Sequence, residues 1–426
     1  MLLRGGCVLT LGAKTPNFTE ADVAIEGGVI GEVGRGLRMR DAEVIDATDT
    51  IVMPGFVDTH RHAWTSLYRN LGGSARAALL DRFEPDDVYA ATLIGLLGAA
   101  EAGITAVVDW PDGELDDGGG AAALRAHADA GLRTVLVATD TYDAAAAPAR
   151  ARLVRLVDAA GPSTTIAFGS DGVGPDDLDQ VTASWAVARE LGMRIFVHAE
   201  PRTSVAGVVA SLGQRGLLGD DVTFVHHAGL DDADLDAVAA SGASVSFAPS
   251  SEMAQGATLP IQQLIDRDIR PGLGIDDERL APGDMFAQMR ATISLQHATV
   301  FDRKLAGKAG VPRLMNTRDV IRAATSDGAR AAGLHRVTGA LEPGKHADVI
   351  MLRTDRPNIF PVNDPIGAVV WGMDTSNIDH VIVGGRLVMR DGALEADLDR
   401  ARASAASARE RIGAGSASSS RPGDAA

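Results

Sequence analysis

His60 and His62 stand two residues apart at the end of an apolar run, a spacing that turns both side chains to one side of an extended strand. Two imidazoles on one side can share one cation. Three other apolar runs end in residues of related chemistry: His198-Ala199-Glu200, His226-His227 and Asp276-Asp277. The chain has ten histidines, and five of them fall at three of these ends, where chance would scatter them more widely. His60, His62, His198 and Asp276 together offer three nitrogens and one oxygen. That donor set suits zinc, with ferrous iron the alternative, and leaves a further position for water if the site expands to five-coordinate. The competing reading is a set of polar caps on strands that hold no metal.

Such a set needs elements that bring distant residues together. Short apolar runs at 51–57, 104–108, 134–137, 165–168, 194–197, 222–225, 244–247 and 272–275 alternate with Ala/Leu-rich stretches of helical period, such as 183–191, 233–240 and 319–331. Eight strands alternating with helices predict an α/β fold, a (β/α)8 TIM-like barrel of about 250 residues with its chemistry at the C-terminal strand ends. An open doubly wound sheet is the alternative. Its Gly-x-Gly-x-x-Gly signature is absent except for a partial match at Gly169-Ser170-Asp171-Gly172.

The two chain ends read differently. Ala21–Glu26 alternates, Gly27-Gly28 follows and Val29-Ile30 resumes, which predicts a hairpin. Residues 1–10 read as a strand, a turn at Gly5-Gly6 and a second strand. Comparable β patterns return at 347–352 and 380–385. The predicted organisation is a small β-sandwich from residues 1–55 and 338–395, a barrel over 56–337, and a C-terminal helix and flexible Ser/Ala/Gly-rich tail over 396–426.

Composition narrows the function classes. With 426 residues, 46% of them hydrophobic, the chain can build one large domain and a smaller module. A formal charge of −17 disfavours nucleic acid and anionic membranes as partners. A single cysteine, Cys7, excludes an intrachain disulfide and a cysteine-based zinc finger. No run approaches the roughly 20 apolar residues of a membrane span. The glycine pair interrupts what would otherwise be a signal-peptide core. These features predict a cytoplasmic protein; a small-molecule substrate is the expected partner, and a homo-oligomer is expected without any of these features requiring it.

Pro54-Gly55-Phe56-Val57-Asp58-Thr59-His60-Arg61-His62 resembles the first-strand motif of the amidohydrolase superfamily. Gly272-Leu273-Gly274-Ile275-Asp276 resembles its last-strand motif. Residues 339–348, Gly339-Ala340-Leu341-Glu342-Pro343-Gly344-Lys345-His346-Ala347-Asp348, resemble the turn by which the chain re-enters the sandwich. The likeness extends to about residue 395, and the chain most resembles the branch of cytosine and guanine deaminases and triazine hydrolases. Members with two metals bridge them with a carboxylated lysine on the fourth strand. This chain has no lysine between Lys14 and Lys304, so one divalent ion is expected.

The resemblance implies a metal-dependent hydrolase that deaminates a nitrogen heterocycle through metal-activated water. Asp276 would take the water's proton as well as ligate the metal, and His226, beside the metal, would hydrogen-bond the water or the developing oxyanion. Glu200 would protonate a ring nitrogen or the leaving group. Relatives carry His-x-x-Glu there and this chain His-x-Glu, which makes Glu252 the second candidate for that role. Arg61, Trp64, Arg69 and Glu252 are further candidates for substrate contact, Trp64 by stacking on a heteroaromatic ring. Packing and ion pairs at the barrel mouth are the competing explanation for the first three. Other activities remain open: expulsion of a different group such as halide, opening of a cyclic amide, or a barrel without catalysis.

Overall fold

A computed structural model of the chain describes residues 1–71, 83–112, 117–139, 147–170, 172–199, 206–226, 229–257 and 259–413. The N-terminal residues form β1 (Leu2–Val8), β2 (Phe18–Glu26), β3 (Val29–Gly34), β4 (Val44–Asp46) and β5 (Thr50–Pro54). The β2–β3 hairpin turns at Gly27 and Gly28, at φ of 56° and 81°, a conformation other residues adopt only under strain. The turn expected at Gly5-Gly6 is absent. Gly5, at φ 79°, instead sits in an irregularity of β1 between Leu3 and Gly6, and the strand continues through it.

The barrel strands are β6 (Phe56–Arg61), β7 (Ile104–Asp109), β8 (Arg133–Thr139), β9 (Thr164–Ser170), β10 (Ile195–His198), β11 (Val222–Val225), β12 (Ser244–Phe247) and β13 (Gly272–Leu273), parallel and in chain order. The apolar run at 51–57 is two strands rather than one barrel strand. It divides at Gly55, where a Cβ would lie 2.1 Å from Thr105 Cγ2, so that β5 belongs to the terminal sheet and β6 to the barrel. The ring closes at the site-bearing ends: Ile275 and Asp276 donate backbone hydrogen bonds to the His60 carbonyl at 3.0 and 2.8 Å, and His62 donates to that of Asp276 at 3.0 Å. The closure therefore fixes His60, His62 and Asp276 side by side.

Helices follow the strands on the outside: α1 (Pro85–Glu101), α2 (Asp117–Ala130), α3 (Ala147–Ala159), α4 (Leu178–Glu190), α5 (Val208–Gln214), α6 (Asp232–Ser241), α7 (Pro249–Ala254), α8 (Ile261–Ile265) and α9 (Met285–Leu305). The single helix expected over 319–331 is two, α10 (Thr317–Ala323) and α11 (Ser326–Ala331). Between them the Ala324 carbonyl leaves the helix to accept from Val57 of β6 at 2.9 Å.

The chain then returns to the first sheet through β14 (Val349–Arg353), β15 (Ile378–Val383), β16 (Arg386–Arg390) and β17 (Ala393–Leu394), where β14 pairs antiparallel with β5. Alternation divides the faces of this sheet. Val52, Val349, Met351 and Ile382 join the core enclosed by the terminal strands, whereas Ile51, Met53, Ile350, Leu352 and Val381 pack into the barrel's core. Last comes α12 (Leu398–Ile412), whose Ala405, Ala408 and Ile412 cover Trp64, Leu67, Tyr68, Ala90 and Ala91. Among the described residues, no helix is long and apolar enough to cross a membrane.

Candidate metal centre and active site

His60 and His62 leave β6 on one side, and their Nε2 atoms each lie 3.4 Å from Asp276 Oδ1. His198, at the end of β10, brings its Nε2 to 3.4 Å from that of His60. Donor atoms of His60, His62 and His198 lie within 4.8 Å of one another, as do those of His60, His226 and Asp276. His60, His62, His226 and Asp276 are all at most 4% exposed.

Backbone conformation contributes to this convergence. His226 and Asp276 both adopt the left-handed region, at φ of 59° and 65°. Histidine and aspartate tolerate it better than most side chains, and such conformations persist where the surrounding structure enforces them. Here His226 N donates to Ser246 O at 2.9 Å, and Asp276 is held by the barrel closure.

The electrostatics prepare the donors. Burial, reinforced by the neighbouring His62 and His198, holds the His60 imidazole well below its ordinary pKa despite the opposing pull of Asp276. It is therefore neutral and can offer a lone pair. Burial alone would raise the Asp276 carboxyl, but its hydrogen-bonding contact with His60 and the closeness of the His226 and His62 rings outweigh it, and the group stays well below the usual carboxylate range. His62 Nδ1 donates to the Trp110 carbonyl at 2.7 Å, leaving Nε2 proton-free toward Asp276. Two imidazole Nε2 atoms facing at 3.4 Å would repel as bare acceptors, and a cation relieves that. Three imidazoles and one ionised carboxylate thus fit a divalent cation.

The amidohydrolase family profile matches residues 51–388. The chain belongs to the amidohydrolase family. It is 30% identical to the 5'-deoxyadenosine deaminase of Methanothermobacter thermautotrophicus over 93% of this chain and 94% of that one. It is 25% identical to the 5-methylthioadenosine/S-adenosylhomocysteine deaminase of Pyrococcus horikoshii over 92% and 95%. Among solved structures, the zinc complex of atrazine chlorohydrolase from Arthrobacter aurescens TC1 matches at TM-score 0.83 and 21% identity, over 96% of this chain and 99% of that one. An adenosine deaminase from Xanthomonas campestris with bound zinc matches at 0.78 and 22%, over 96% and 98%. These likenesses confirm the barrel with its terminal sheet.

Not every candidate reaches the centre of this amidohydrolase. Glu200 lies outside the described residues, as does His227. Arg61 is fully buried, and its guanidinium is engaged by Asp58, Glu278 and the Gly283 carbonyl. Arg69 is held by Glu278, which also accepts from Ser66 at 2.8 Å. Trp64 is buried against Phe83, and its Nε1 donates to Asp112 Oδ2 at 3.1 Å. Glu252 is on α7 and accepts from His226 Nδ1 at 2.9 Å. Asp277, the neighbour of Asp276, is buried and paired with Arg279 at 2.5 Å.

Three contributors were not anticipated. Trp110 stacks on His198 with ring centroids 3.9 Å apart and planes 8° from parallel. Asp112 Oδ1 lies 3.1 Å from His62 Nδ1. Ser251 Oγ donates to Asp276 Oδ2 at 2.5 Å. Trp110 and Asp112 directly follow β7, so the rule that sends chemistry to strand ends would have found them.

Proposed function

We infer that this amidohydrolase binds one zinc ion through His60, His62, His198 and Asp276 and deaminates an aminated nitrogen heterocycle. The convergence of those donor atoms is the observation that carries the reading. The two zinc-bound structural neighbours support the choice of metal. The names of the curated relatives point to an adenine nucleoside as the substrate class.

Bound there, a divalent cation supplies Lewis acidity that lowers the pKa of an adjacent water from about 15.7 to about 7. Asp276, ionised and facing the imidazoles, accepts the water's proton as the oxygen adds to the amine-bearing carbon. His226 hydrogen-bonds the attacking water or the oxyanion. Glu200 protonates the ring nitrogen, and the proton taken up by Asp276 passes to the amine, so that the ring regains its conjugation as ammonia departs. Cytoplasmic location and self-association belong to the same reading. The first is supported by the charge of −17 with no described helix able to span a bilayer, and light scattering tests the second.

Ammonia release from a panel of aminated purines, their nucleosides, pyrimidines and triazines tests the activity, alongside metal analysis of the purified chain. His60→Ala is expected to lose the metal, and Asp276→Asn to keep part of it while losing turnover. Wild-type activity in Asp276→Asn would refute the assigned base. A chain that neither binds zinc or iron nor gains activity from them would refute the whole reading.

A further inference from the structure

One short helix, α7, faces the centre of the site with two consecutive side chains, Ser251 toward Asp276 and Glu252 toward His226. Glu252 is 4% exposed, and its contacts are unevenly divided. Oε1 accepts from His226 Nδ1 at 2.9 Å and from the Ala248 backbone N–H at 2.8 Å, while Oε2 is buried with no hydrogen bond. A buried carboxylate sharing one oxygen between a ring nitrogen and a backbone amide is well placed to orient the ring. A carboxylate oxygen can only accept, so Oε1 takes the Ala248 N–H and the ring nitrogen opposite it carries a proton.

We propose that Glu252 is the positioning residue of His226: its Oε1 takes the Nδ1 proton and leaves the other ring nitrogen, Nε2, proton-free for the site. This rests on the deaminase reading and sharpens it. Of the two roles open to His226, a proton-free Nε2 can only accept from the attacking water. Donation to an oxyanion would require a proton that the resting ring does not hold there. Glu252 thus acts through His226 and does not itself relay a proton to substrate.

The geometry makes the glutamine variant diagnostic. Because Ala248 N–H and the ring share the same oxygen, Glu252→Gln keeps a carbonyl oxygen at Oε1 and places its NH2 where Oε2 now lies. The amide therefore still accepts from Nδ1 but cannot transfer protons. Glu252→Ala removes the acceptor altogether. Orienting partners of this kind are worth about 10- to 100-fold in activity.

The experiment measures kcat, KM and bound metal for the two variants, with the ring 15N shifts of His226 in the metal-loaded protein, assigned by its loss in His226→Ala. The expected result is a protonated, pyrrole-type Nδ1 in the wild type and in Glu252→Gln. That variant should keep kcat within about tenfold of wild type, while Glu252→Ala falls about 10- to 100-fold in kcat with KM and metal content held and Nδ1 no longer fixed. Equal loss of kcat in Glu252→Gln and Glu252→Ala with an unchanged tautomer would make Glu252 a proton donor and overturn the proposal. So would a pyridine-type Nδ1 in the wild type, or undiminished kcat in Glu252→Ala. The ring spectra need no turnover. A chain inert toward every amine would end the deaminase reading and leave this assignment to be decided by the Nδ1 resonance.

Discussion

Ser251 and Asp276 are joined by a hydrogen bond of 2.5 Å from Oγ to Oδ2, on the opposite side of the carboxylate from the oxygen that faces His60 and His62. One oxygen is thus tied to α7 while the other is presented to the imidazoles. Gln255 reaches the same Oδ2 only at 3.5 Å and is a weak substitute. Ser251→Ala should leave the carboxylate free to rotate, lowering kcat by about 10- to 100-fold with little change in KM. Steady-state kinetics with parallel metal analysis checks this. Unchanged kcat would mean that the barrel closure alone orients Asp276.

Gly274 is the place where that closure has no spare room. A Cβ there would stand 2.9 Å from both Cβ and O of His60 and 3.0 Å from its N. The neighbours are backbone and cannot swing aside, so Gly274→Ala must push β6 from the residues that follow β13. A cost of about 1–3 kcal/mol is expected from the overpacking. The metal affinity should fall with it, because His60 and Asp276 face each other across the same seam. Calorimetry and competitive zinc titration read the two effects. A destabilised variant that binds metal as tightly as the wild type would show that the seam and the centre are mechanically independent.

The parts of this architecture with a local cause were legible in the sequence. His60 and His62 share a side because an extended strand repeats every two residues, and their convergence with Asp276 follows from barrel closure. The same period places Arg61, between them, on the opposite side, where it is buried against Asp58 and Glu278. Its closeness in sequence to the histidines therefore does not bring it to their side of the strand. The bonds from Ser251 to Asp276 and from Glu252 to His226 span 25 and 26 residues and depend on two left-handed backbone conformations. No periodicity reports such conformations. The apolar run over 51–57 concealed a change of sheet because Gly55 turns the chain without interrupting its hydrophobicity.

Asp327 gives a pH dependence with a definite sign. Burial lifts its carboxyl above the ordinary value, against the opposing pull of Arg322, Arg270 and Arg330. The folded chain therefore holds this proton more tightly than the unfolded one, whose value is about 3.9. The group's contribution to stability is complete below that value and is lost as pH rises through the folded one. Asp327→Asn mimics the protonated form. It should melt higher than wild type at pH 7, with the gain vanishing near about pH 4. Melting curves at both pH values check this, and a loss at pH 7 would show that the pairing with Arg322 outweighs the burial.

Arg133 and Asp348 tie the barrel to the terminal sheet. Nε and Nη2 of Arg133 meet Oδ2 and Oδ1 of Asp348 at 2.7 and 3.0 Å, and the two side chains are 8% and 0% exposed. Asp348 Oδ1 also accepts from Gly384 N at 2.8 Å. A buried pair of this kind gains little over apolar neighbours, since desolvation offsets its attraction, but removing one partner strands the other's charge. Arg133→Met, close in volume, should therefore cost about 3–5 kcal/mol by leaving Asp348 ionised and unpaired. Adding Asp348→Asn removes that charge while keeping an acceptor for Gly384 N, so the double variant should be more stable than Arg133→Met alone. Denaturant unfolding of the wild type, both single variants and the double variant measures the coupling. A double variant less stable than either single one would show that the pair holds the two parts of the fold together by packing rather than by charge.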